Sequence, residues 1–165
     1  MEDIMEDRDS SDVRILVDIV ESEVDLSSII SEMIENSYRK GGGALAVFVG
    51  YVKGVVDGDF VEELEYTTYK PYAVKRMESI VKEEVEKGVH EVRVLHRIGR
   101  LKPGETTMYI LVSGLSRKIV ISSLERILER IKHEAPIYKL EKTRTGEYWV
   151  IGDKRVSRRA TQRAQ

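Results

Sequence analysis

"TTMYILVSGLSRKIVISSLERILERIKHEAPIYKLEK" runs from Thr106 to Lys142, and its reading decides the fold. Residues 106–114 are of strand length and carry the continuous apolar run Met108–Val112, as expected of a buried strand. After Ser116 the period lengthens. Val120, Leu124, Ile127, Leu128 and Ile131 fall on one face, which predicts a helix over about 116–134. Pro136 disfavours helical geometry at Ala135 and turns the chain into a short strand over 137–142. A strand, an amphipathic helix and a returning strand make a unit in which a helix packs on a sheet.

The same alternation of elements extends upstream. Residues 13–20 read as a strand, and Asp25 as the N-cap of a helix whose stripe is Ile29, Ile30, Met33 and Ile34. Gly41, Gly42 and Gly43 stop that helix; no Gly-Lys-Ser/Thr ending follows to make them a phosphate cradle. "ALAVFVGYV" (44–52) is apolar on both faces and is expected inside a sheet. An Asp-Gly turn in 55–59 leads to a half-exposed strand, 60–69. Pro71 opens a second helix with the stripe Ala73, Val74, Met77, Ile80, Val81 and Val85, closed by Gly88. Strands over 91–99 and 147–151 complete an α+β domain, a mainly antiparallel sheet with three packed helices.

With 165 residues the chain suits one domain, assigned to 13–151. An acidic tail over 1–12 and a basic tail over 152–165 lack apolar periodicity and are expected to fray. No cysteine is present, which excludes a thiolate nucleophile, disulfides and a cysteine-held metal. No apolar run approaches the ~18–20 residues of a membrane span, and nothing resembles a signal peptide, so a soluble cytoplasmic protein is expected. A net charge of −2 and a basic end without interleaved aromatics argue against nucleic acid as a partner. Charged residues at 34%, with one Asn and two Gln, give a thermophile-like composition.

Three histidines, His90, His96 and His133, share no metal-ligand spacing and read as structural, so neither a metal nor a cofactor is expected. Lys132 is different. It continues the Leu124–Leu128 row at the edge of the apolar face, and Pro136 returns the chain so that Lys139 comes back beside it. Two ammonium groups held together make an anion site and lower one another's pKa. Arg117, near the other end of the helix, joins such a site only if a neighbouring loop or subunit brings it close. The competing reading leaves each lysine as a snorkelling surface charge.

The segments "HRIGRLKPGE" (96–105), "IKHEAPIYKLEK" (131–142), "GEYWV" (146–150), "GALAVFVGYVKG" (43–54) and "LEYTTY" (64–69) together resemble the large, catalytic subunit family of molybdopterin synthase. The likeness spans about residues 13–150. It implies an α/β hammerhead-like fold and sulfur transfer in molybdenum cofactor biosynthesis. The substrate would be cyclic pyranopterin monophosphate. The sulfur would arrive as a thiocarboxylate on the Gly-Gly end of a small ubiquitin-like carrier subunit, so this chain needs no thiol. The resemblance assigns catalysis to Lys132 and Lys139 and substrate binding to Arg117, Ser116 and Lys53. It also implies a homodimer with one carrier at each end, a heterotetramer. The apolar strand 106–114, more than one layer of helices need cover, points to the same dimer. Two positions depart from the family pattern: Ser116 stands for a histidine and Lys53 for an arginine. They leave open a non-catalytic relative that binds the carrier or a pterin-like anion.

Overall fold

Alternation along β7 (Thr106–Gly114) divides the molecule into layers. Met108, Ile110 and Val112 belong to the main core, with Val92 and Val94 of β5 (Val89–Arg97) and Val17 and Ile19 of β1 (Arg14–Val20). That core is closed by α2 (Lys70–Glu84) through Ala73, Met77, Ile80 and Val81, and by α3 (Arg117–Glu134) through Val120, Ile127 and Ile131. Tyr109 and Leu111 point the other way, onto Met33 of α1 (Leu26–Tyr38). The first sheet has the order β1-β5-β7-β2, with β2 (Ala44–Tyr51) at its edge. Only β1 and β5 pair in parallel; β5–β7 and β7–β2 are antiparallel. The computed structural model describes residues 12–159.

A second, antiparallel sheet is built around β4 (Asp59–Thr68) and β8 (Ile137–Thr143). On one side it continues through β9 (Glu147–Ile151) and β10 (Lys154–Ser157); along β4 lie the short β3 (Val55–Val56) and β6 (Gly99–Leu101). The β3–β4 turn puts Asp57 and Gly58 at φ 51° and 78°, the paired positive values of the hairpin turn that Asp-Gly favours. Ile98 and Ile137 pack against the cores of both sheets and mark the seam between them. Among the described residues no helix is long and apolar enough to cross a membrane.

The α+β class, the three helices and the mainly antiparallel pairing agree with expectation; the one sheet expected is two, the strand read over 91–99 divides between β5 and β6, and three further details differ. First, β2 is an edge strand, although its apolar faces predicted a place inside the sheet. Helices lie on both sides of it: Leu45 and Val49 pack into the core under α1, while Ala44, Ala46 and Phe48 pack into the main core beside α3, and Val47 stays exposed. Burial of faces says nothing about lateral neighbours. Second, α1 covers the far side of β7, so that strand leaves no uncovered apolar face to argue for a dimer. Third, the expected basic tail from 152 begins with β10, paired to β9 through Lys154↔Ile151 to Ser157↔Tyr148. Ion pairs hold it: Arg155 to Glu141 at 2.7 Å and Asp57 at 3.2 Å, Arg158 to Glu147 at 2.7 Å. Charge pairing across a hairpin leaves no apolar period to read. The acidic run, apart from Asp12, and the last six residues, 160–165, lie outside the described residues.

Candidate active site at the seam of the two sheets

The cavity is positioned by a helix stop. Ala135 leaves helical geometry at φ −71°, ψ 131°, and its N–H bonds to the Ile131 carbonyl, so Lys132 stays in the last turn of α3. The chain enters β8 at once, and Lys139 falls opposite Tyr66 on β4. Lys53 follows β2 on the loop into β3. All three lysines line one cavity of about 280 Å3. Phe48, Gly50 and Met108 of the first sheet form its apolar wall, with Tyr66 and His96 beside Lys139. A Cβ on Gly50 would stand 2.8 Å from Thr107 Oγ1, so glycine there keeps the wall open.

None of the three lysines forms an ion pair among the described residues; the nearest aromatic partner of Lys139 is the Tyr66 ring, 6.0 Å from Nζ. Burial pushes the Lys139 ammonium below its ordinary range. The Glu141 carboxylate opposes that fall, and the charges of Lys53 and Lys132 add to it. Glu141 is itself buried and faces Arg155, their charged atoms 2.7 Å apart at angles that make an ion pair without a hydrogen bond. Burial likewise raises the Tyr66 hydroxyl to about 12, despite a hydrogen bond with Thr107. At neutral pH Tyr66 is therefore a neutral wall, and the ionic character of the cavity comes from the lysines.

Of the residues singled out from sequence, Lys53, Lys132 and Lys139 come together. Ser116 and Arg117 do not join them within one chain. Both are exposed at the start of α3, Ser116 sixteen and Arg117 fifteen residues before Lys132, a span of roughly 22 Å or more along a helix. The reading from periodicity missed His96, taken as structural and found lining the cavity. It also missed Tyr66, Glu141 and Arg155, because their importance arises from pairings between strands distant in the chain. His90 and His133 lie elsewhere, bonded to Ser37 Oγ and the Glu129 carbonyl respectively.

Unpaired ammonium groups around an apolar-walled cavity suit an anionic ligand with a flat, partly apolar body. One buried lysine with a lowered pKa also gives up its proton more readily than an exposed one. Fold and site thus define a class: an α+β protein with a cationic ligand cavity between two sheets.

The sequence profile of the MoaE protein family matches residues 19–134, and the chain belongs to that family. The molybdopterin synthase catalytic subunit of Pyrococcus abyssi is 33% identical over 128 residues, covering 77% of this chain and 86% of that protein. Among solved structures, molybdopterin synthase from Staphylococcus aureus superposes with a TM-score of 0.70 at 32% identity, over 81% of this chain and 95% of the other. A complex of subunits 1 and 2 of the molybdopterin-converting factor from Helicobacter pylori includes a chain that matches with a TM-score of 0.63 at 25% identity, over 86% and 89%.

Proposed function

We propose that this chain is the catalytic subunit of a molybdopterin synthase, an enzyme of molybdenum cofactor biosynthesis that acts as a sulfurtransferase. Cyclic pyranopterin monophosphate is the substrate, and a small ubiquitin-like carrier ending in Gly-Gly delivers sulfur as a thiocarboxylate. The observation that carries this reading is the convergence of Lys53, Lys132 and Lys139, without ion-pair partners, on one cavity. A phosphate supplies the missing negative charge. Lys132 and Lys139 stabilise the charge that develops as the carrier sulfur attacks and the cyclic phosphate opens. Lys139, its ammonium destabilised by burial, is the group suited to move a proton. Sulfur comes from outside, consistent with a chain that has no cysteine.

The Helicobacter pylori relative was solved as a complex of two different subunits, which supports a small partner for this chain. A slim glycine tail suits a cavity of about 280 Å3 that must also admit a pterin. The homodimer rests on β2. Its eight residues, "ALAVFVGY", carry no charge and no proline, the usual protections of a free sheet edge. Antiparallel pairing of β2 with its copy would run the copy's Gly43 end beside this chain's Tyr51 end. Gly43 is hydrogen-bonded to Gly114, two residues before Ser116, while Tyr51 lines the cavity. Ser116 and Arg117 would then reach the substrate across the dimer.

Reconstitution tests the proposal directly. The protein is mixed with thiocarboxylated carrier and pterin substrate, and molybdopterin is measured. Turnover is expected, lost when the carrier's Gly-Gly end is deleted. Binding of carrier and pterin without product would instead identify the non-catalytic relative that Ser116 and Lys53 leave open.

A further inference from the structure

The cavity's polar groups are unevenly matched to a ligand. Lysine ammonium groups only donate hydrogen bonds. The Tyr66 and Thr107 hydroxyls can donate as well as accept. His96 adds a different group, an acceptor that cannot also donate. It lies on β5, 7% exposed, with its ring edge-on to Tyr66 at 5.0 Å between centroids. Its Nδ1 is 2.7 Å from the Arg97 carbonyl oxygen. A carbonyl only accepts, so Nδ1 carries the proton, and in the neutral ring Nε2 is left as a bare acceptor. Among the described residues Nε2 has no hydrogen-bond partner, yet it is not among the sealed, unpaired polar atoms. The ring lines the cavity, and Nε2 is accessible there.

We infer that His96 is a ligand-binding residue whose Nε2 accepts a hydrogen bond from an N–H group of the heterocycle bound among the lysines. This rests on the function proposed above and adds to it a means of telling ligands apart. The lysines hold any small anion. The histidine lone pair repels an anionic oxygen and favours a ligand that presents a ring N–H or amino group. Burial and the neighbouring Lys139 charge keep the imidazole neutral. Its backbone bond to Arg97 prevents the tautomer from switching.

The test uses the full chain with thiocarboxylated carrier and pterin substrate. His96→Phe keeps a ring against Tyr66 and removes the acceptor; His96→Gln places an amide oxygen near the position of Nε2. For His96→Phe, KM for the pterin is expected to rise about tenfold with kcat within about threefold. Inhibition by inorganic phosphate should be unchanged. His96→Gln should return KM to within about threefold of the natural protein. An unchanged KM in His96→Phe overturns the inference, as does a His96→Gln no better than His96→Phe, or phosphate inhibition that weakens in step with KM. Should His96→Phe not fold, 15N NMR of the natural protein, without carrier, decides. Saturating pterin is expected to move the His96 Nε2 resonance upfield, and a stationary resonance overturns the inference. A natural protein that makes no product defeats the proposed function itself; one that turns over while His96→Phe is unaffected defeats only the role of His96.

Discussion

Two regions of this protein gather cations and treat them in opposite ways. Between α2 and α3, Arg130 reaches Glu83 at 2.6 Å, Glu84 at 2.9 Å and Glu134 at 2.8 Å. Arg126 joins Glu84 and Glu86, and Arg76 joins Glu134. Hydrogen bonds donated to Glu83, Glu134 and Glu84 hold the Arg130 guanidinium above its ordinary pKa. Two residues further along α3, on another side of the helix, Lys132 meets Lys53 and Lys139 with no carboxylate among the cavity-lining residues, and the Lys139 pKa is pushed down. The one helix serves both. Where acids answer the bases, the charges join two helices; where they do not, the unmet charge is available to a ligand.

The sharpest way to break this contrast is to remove one cation from each region. Lys139→Ala or Lys132→Ala should lower product formation by about a hundredfold or more, ~3 kcal/mol of transition-state stabilisation, while the melting temperature barely moves. A variant that keeps its rate but unfolds earlier would put that lysine with the structural charges instead.

Acid unfolding probes the cavity from another side. Burial lowers the folded-state pKa of His96 from 6.5 to about 4. Between those values the unfolded chain binds more protons than the folded one, so stability rises with pH through that window and is level above it. The contribution lost on acidification is at most roughly 3 kcal/mol. Urea melts at pH 7 and pH 4.5 should show a smaller stability difference for His96→Gln than for the natural protein. Equal differences would mean that the ring is protonated in the folded state as easily as in the unfolded one.

Arg117 sharpens the comparison by asking whether a second chain supplies charge to the cavity. Arg117→Ala should slow turnover about tenfold, as expected for loss of a charge-assisted hydrogen bond. A refolded equal mixture of Arg117→Ala and Lys139→Ala chains should recover roughly a quarter of natural activity, because half the dimers then hold one intact site. No recovery would leave Arg117 outside the site. Arg130→Ala is the smallest effect: a modest fall in melting temperature, weaker at high salt, with the rate unchanged. A rate that fell with Arg130 would show that the two ends of the contrast are coupled.

Much of this architecture was legible in the chain. The 3.6-residue stripe over α3, the stop at Pro136 and the apolar run of β7 are local signals, and each element formed where its signal lay. So did the pairing of Lys132 with Lys139, because a helix stop followed by a strand leaves few places for either lysine to go. The resemblance in "HRIGRLKPGE" and "IKHEAPIYKLEK" supplied the family, which composition and periodicity alone did not. β10 was hidden, because its ties are Arg155 to Glu141 and Arg158 to Glu147, contacts with no repeating spacing along the chain.

Sequence by itself thus determined the helices, the core strands and the two-lysine turn, since propensity, period and capping act over a few residues. Tertiary structure alone decided three things. It placed β2 at an edge, because hydrogen-bond neighbours within a sheet are chosen by the whole chain and not by the polarity of a strand's faces. It brought Lys53, which only the resemblance had singled out, to the two lysines of the turn by way of the β2–β3 loop. It brought His96, which looked structural, to the wall of the cavity, because strands distant in the chain meet there and the Arg97 carbonyl holds one ring nitrogen in place.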